Sequence, residues 1–149
     1  MSPLLLTVLA LAPPQQAPGA SFQAVAVEAS EAPVIDGEVG DEEWAGAPLF
    51  TDLIQYEPNR GEPSPVRTEI RVLYDSAYVY VAFKGWDPEP VTAQLTRRDS
   101  DLLNDDAFMV ILDTYRDRQS GYVFGVNPLG TQADARVVND GRTTDVTWD

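Results

Sequence analysis

The chain contains no cysteine and no histidine. Without cysteine, neither a disulfide nor a thiolate metal site can form. Without histidine, the commonest general base and the usual zinc ligand are missing, so any hydrolysis would have to rest on carboxylates. Basic residues are scarce as well: ten Lys and Arg stand against 24 Asp and Glu, a formal charge of -14 over 149 residues. A surface of that sign repels phosphate backbones and disfavours nucleic-acid binding. The acidic excess reads two ways, as a means of staying soluble or as a calcium-binding surface. Gly-rich phosphate loops, basic–aromatic stripes and internal repeats are all missing, and spacing singles out no carboxylate pair as acid and nucleophile. What remains, 44% hydrophobic and 23% charged residues, is the composition of a folded globular domain.

Long apolar runs are missing too. Leu4–Ala12 is of signal-peptide length and far too short to span a bilayer as a helix. No Lys or Arg precedes it; Ala10-Leu11-Ala12 has the small-x-small form of a cleavage site, Pro13 follows directly, and a later cut falls near Ala20. Residues 1–20 therefore read as an export signal and a Pro/Gln/Ala linker, with a disordered tail as the alternative, and the folded domain as residues 21–149.

Within that domain the pattern is of strands. Ser21–Glu28 and Phe50–Ile54 read as short ones. Val66, Thr68, Ile70, Val72 and Tyr74 alternate with Arg67, Glu69 and Arg71, which predicts a strand with one buried and one wet face. Asp75-Ser76-Ala77 turns the chain, and Tyr78–Phe83, apolar on both faces, reads as a central strand. Ala107–Leu112 reads as another. Gly121–Asn127 and Thr131–Val138 form a hairpin around Asn127-Pro128-Leu129-Gly130, with Pro and Gly placed as a type I turn prefers. Val91–Asp105 is irregular with one helical turn. The only other helical signal is a short segment at Asp41-Glu42-Glu43-Trp44, where acids suit a helix start.

Val34-Ile35-Asp36-Gly37 through Trp44, and the hairpin Val72-Leu73-Tyr74-Asp75 through Tyr80-Val81, resemble the opening turn and hairpin of family 9 carbohydrate-binding modules. The similarity runs from about Val34 to the last residue. It is strongest to the version found at the front of large outer-membrane-associated bacterial proteins. The resemblance implies an all-β fold, an antiparallel β-sandwich of jelly-roll type, and non-catalytic binding of poly- or oligosaccharide. It also implies an exported protein of the periplasm, outer membrane or cell surface, with a role in polysaccharide catabolism. The family domain continues for several more strands, so the sequence reads as truncated at its C-terminus, with a downstream domain expected and low stability expected of the piece alone. Two rivals stand beside this reading: a structural or interaction domain preceding an outer-membrane β-barrel, and the accessory module of a glycoside hydrolase.

Sugar recognition calls for flat aromatic faces with charged or amide hydrogen-bonding groups beside them. The candidates are Trp86, Arg97, Arg98, Asp106 and Trp148, with Tyr115, Tyr122 and Asn127 as further members. Where sugar-binding members of the family carry a Trp, a Glu and an Arg, this chain has Leu103, Met109 and Gly125, which make none of the corresponding contacts. Asp99, Asp101, Asp105 and Asp106 crowd one loop. They read either as a solvated acidic loop or as a calcium site without EF-hand spacing. Asp36 is expected to brace its turn and Trp44 to sit in the core.

Overall fold

The computed structural model describes residues 25–26 and 31–148. The export-signal and linker reading of residues 1–20, and most of the Ser21–Glu28 strand, lie outside the described residues. The described residues are all-β and form two sheets, the elements of which a β-sandwich is made. Among the described residues seven strands follow in order: β1 (Val25–Ala26), β2 (Arg67–Tyr74), β3 (Val79–Trp86), β4 (Phe108–Leu112), β5 (Gly121–Val126), β6 (Gln132–Val138) and β7 (Thr143–Asp145). One sheet has the order β1-β2-β3 and the other β4-β5-β6-β7. Every pairing is antiparallel except β1 with β2, which is parallel.

In the first sheet the expected alternation holds: Thr68, Ile70 and Val72 are buried and Arg67 is exposed. The opposite face is not simply wet, however. Leu73 is buried there beside Trp44, Ala47 and Ala82, with Val39 and Tyr80 packed against them. The half-buried Arg71 donates from Nη1 to the carbonyl of Trp44 at 3.2 Å. The segment 39–47 thus covers one end of this face, joining a hydrophobic patch to a cation satisfied by backbone oxygens. Asp36 braces the preceding turn by accepting the Glu38 N–H at 2.9 Å, and Gly37 supplies the left-handed backbone at φ 89°.

Four expectations need correction. Residues 41–46 form successive turns instead of a helix, with Ala47 N–H bonded to the Trp44 carbonyl three residues back. Gly40 and Gly46 flank too short a stretch to repay helix nucleation. Phe50 and Ile54 make isolated bridges, to Ile70 and Pro63 respectively, and no strand joins them. Tyr78–Phe83 is not central: β2 holds the middle of its sheet, and β3 is an edge strand among the described residues. The two-sided apolarity of β3 comes from Tyr80 and Ala82 packing toward Trp44, opposite a row in which Val79 and Phe83 are exposed. Likewise β4 ends its sheet instead of crossing its middle.

Turn chemistry fixes both hairpins. The Asp75 carboxylate accepts the N–H groups of Ala77 and Tyr78, each at 2.7 Å, and the Tyr80 hydroxyl at 2.8 Å. These bonds, led by that from Ala77, hold its carboxyl below the usual carboxylate range. Between β5 and β6, Gly130 N–H bonds to the Asn127 carbonyl at 2.9 Å, and Gly130 takes φ 78°. That is the turn the Pro–Leu–Gly sequence prescribes.

Candidate functional site

The second sheet carries its chemistry on one face of β5. Because side chains alternate, Tyr122, Phe124 and Val126 point to one side and Gly121, Val123 and Gly125 to the other. The register places Phe124 opposite Asp134 and Tyr122 opposite Arg136, and Arg136 opposite Asp145 on β7. Trp148, arriving just after β7, lies with its ring centroid 4.6 Å from that of Tyr122 and 6.3 Å from that of Phe124. Phe124 remains 43% exposed in the middle of this face. The result is a strip of rings flanked by a carboxylate and a guanidinium.

A polar strap closes one end of the strip. Residues 92–99 cross to the β5–β6 turn, held almost wholly by hydrogen bonds. The Asp105 carboxylate accepts the N–H groups of Gln94 and Leu95 at 3.1 and 3.0 Å, and Nδ2 of Asn127 at 2.9 Å. Asp106 accepts the Thr92 N–H at 2.7 Å. Buried Asn127 also donates to the Leu95 carbonyl at 2.8 Å, and the Thr131 hydroxyl donates to that same oxygen at 2.7 Å. The N–H of Leu95, then the Asn127 amide and the N–H of Gln94, keep the Asp105 carboxyl below the usual carboxylate range against the opposing effect of desolvation. The strap delivers Arg98, which donates to Asp134 and, at 3.1 Å, to Oε1 of Gln132. Beside it is an open cavity of about 300 Å³ lined by Thr96, Arg98, Leu129, Gly130, Thr131 and Gln132.

The structure therefore brings together Trp148, Tyr122 and Arg98 of the sequence candidates, but not the others in the roles expected. Trp86 ends β3 under the Arg67 guanidinium, 4.2 Å from the ring centroid, with Lys84 Nζ at 5.5 Å. Cation–π pairing thus competes with a sugar for the ring, which is 38% exposed. Arg97 is exposed, and its carbonyl accepts the Ser100 hydroxyl at 2.7 Å. Tyr115 is exposed on the loop after β4. Asp106 and Asn127 serve the strap.

The four acidic residues disperse. Asp99 faces Arg98, 3.6 Å away, Asp101 caps the short 3-10 turn Leu102–Asn104, and Asp105 and Asp106 hold backbone amides. Among the described residues, no three of the acidic side chains gather as a metal site would require. Sequence reasoning missed Phe124, Asp134 and Arg136. The period-2 alternation of β5 and β6 carries the signal for all of them.

The positions corresponding to the family's Trp, Glu and Arg lie elsewhere. Leu103 is 79% exposed on the 3-10 turn. Met109 pairs with Gly125 across β4 and β5. A Cβ on Gly125 would stand 3.3 Å from Leu102 Cδ1 and 3.4 Å from Met109 Cγ. The buried Leu102 thus fills the space a larger side chain would need.

Fold and face together define an all-β module that presents a strand-borne aromatic strip with charged groups at its margin. Residues 35–144 match the family described as Carbohydrate family 9 binding domain-like, and the chain belongs to that family. No curated protein and no solved structure matches the chain at a significant level.

Proposed function

We propose that this chain is a non-catalytic carbohydrate-binding module of an exported protein, and that its glycan lies along the β5 face. The observation that carries this reading is Trp148 set against Tyr122, with Phe124 beside it and Asp134 and Arg136 at the margin. Rings of that kind offer apolar faces to the C–H surfaces of a pyranose, and the charged groups offer directional partners to its hydroxyls. Each hydroxyl desolvated without a partner costs about 1–3 kcal/mol, so rings alone would not hold a sugar. Family membership supports a carbohydrate as the partner. Export rests on the Leu4–Ala12 run, and a role in polysaccharide catabolism on the family resemblance.

The closed space at Gly125 favours a second reading, a structural or interaction domain preceding an outer-membrane β-barrel. Calorimetric titration with cello- and xylo-oligosaccharides separates the two. On the first reading, Phe124→Ala and Trp148→Ala each weaken binding about tenfold. Failure of every oligosaccharide to bind would leave the interaction domain.

A further inference from the structure

The end of the β5 face nearest the strap contains an arginine whose charge is already spent. Arg98 Nη2 donates to Asp134, Nη1 donates to Gln132 Oε1, and Nε lies 3.6 Å from Oδ2 of Asp99. One guanidinium therefore stands between two carboxylates. Further along the face, Arg136 lies across from Asp145. Two cations meet three anions on this surface, within a chain of formal charge -14. A guanidinium that recognises a carboxylate does so with a free fork of two parallel N–H groups. Here each guanidinium nitrogen already faces a protein oxygen, although the side chain is half exposed, and Asp134 takes Nη2. The cavity that Arg98 lines presents besides it Thr96, Thr131 and Gln132, which are neutral donors and acceptors, and the apolar Leu129.

We infer that the cavity at the β5–β6 turn is a subsite for an uncharged sugar residue, and that Asp134 is its specificity determinant. By neutralising Arg98 it refuses glycans bearing a carboxylate. This rests on the carbohydrate-binding reading and narrows it to neutral glycans, at a site separate from the Leu103, Met109 and Gly125 positions. A uronate entering the cavity would meet the Arg98 guanidinium already shared by Asp134 and Asp99, whose carboxylates behind it offset its charge and oppose a third. A hydroxyl in the same place needs no free cation and has the neutral Thr96, Thr131 and Gln132 to bond.

Titration of the 149-residue chain with cellotetraose and with tetragalacturonate tests the inference. The neutral tetraose should bind about tenfold tighter at low salt, and the gap should narrow as added salt screens the carboxylates. Asp134→Asn, which keeps the shape and removes the charge, should raise affinity for tetragalacturonate about tenfold. If that variant melts early, Asp99→Asn should move selectivity in the same direction, because asparagine tolerates the left-handed backbone at residue 99, φ 59°. Tetragalacturonate binding as tightly as cellotetraose to the unaltered chain would overturn the inference while leaving carbohydrate binding intact. So would acidic-glycan affinity unmoved in both variants. Binding of neither sugar would remove the function reading itself, and the inference with it.

Discussion

The segment that covers Leu73 and the strap that crosses to the β5–β6 turn perform the same task by opposite means. Around β2 and β3 an irregular segment, residues 39–47, is fixed by burying Trp44, which is 3% exposed, against Leu73 and Ala82. In the second sheet an irregular segment, residues 92–99, is fixed by Asp105, Asp106 and Asn127 through hydrogen bonds. The first device consumes its aromatic ring. The second uses short polar side chains, and so leaves Tyr122, Phe124 and Trp148 to line a face that is partly open. Apolar fixation is insensitive to pH and tolerant of direction; polar fixation is directional and charge-dependent. A binding face gains from the second kind, because it sets Arg98 in one orientation.

Removing the apolar lock should have the largest effect. Trp44→Ala should cost about 3–5 kcal/mol in denaturant unfolding, since a buried aromatic leaves a cavity that the surrounding turns fill poorly. Trp44→Phe should cost much less than truncation, because the indole Nε1 is buried without a hydrogen-bond partner and phenylalanine has no such donor. A loss as great for Phe as for Ala would contradict the packing account.

Next comes the polar lock. Asn127→Ala takes one donor each from the Leu95 carbonyl and the Asp105 carboxylate, which keep others, and removes the side-chain acceptor of the Leu129 and Thr131 N–H groups. A loss of about 1–3 kcal/mol is expected for a buried group left unsatisfied. Hydrogen exchange should rise in residues 92–99 more than in β2 and β3. Uniform loss of protection across both sheets would erase the distinction.

The polar lock should also respond to acid. Asp105 has a folded-state carboxyl held below its ordinary value, chiefly by the Leu95 N–H. Its contribution is therefore present above the unfolded value and is lost as pH falls through the depressed one. Protection of residues 92–99 should stay level from neutral pH to about 5 and decline below about 4. Asp105→Asn should flatten that decline, whereas Trp44→Phe should leave it in place. Smallest of all, Leu103→Ala should change stability by less than about 0.5 kcal/mol, as for most exposed positions.

Much of this was legible in the chain. The alternation from Val66 to Tyr74 gave β2 and its buried face, and Asn127-Pro128-Leu129-Gly130 gave the second hairpin, because strand period and turn chemistry are local signals. What stayed hidden was non-local. Leu73 looks like an interruption of a wet face until Trp44, far away in sequence, covers it. Asp105 and Asp106 look like cation ligands because a carboxylate meeting backbone amides of residues 92–95 leaves no mark in composition. Trp86 looks like a sugar platform until Arg67, its partner across the hairpin, is placed over the ring. Phe124 looks like one more strand residue, although its alternation with Val123 and Gly125 puts it on the face of Tyr122.

The central claim is that a glycan meets the β5 face and not the positions inherited at Leu103, Met109 and Gly125. Backbone amide and indole chemical shifts, followed during addition of cellotetraose to the isotope-labelled chain, test it most directly. The account predicts that the largest shifts fall on Tyr122, Phe124, Asp134 and the Trp148 indole, with Arg98 and Gln132 next. Shifts concentrated on Leu103, Met109 and Gly125, with the β5 face unmoved, would contradict it.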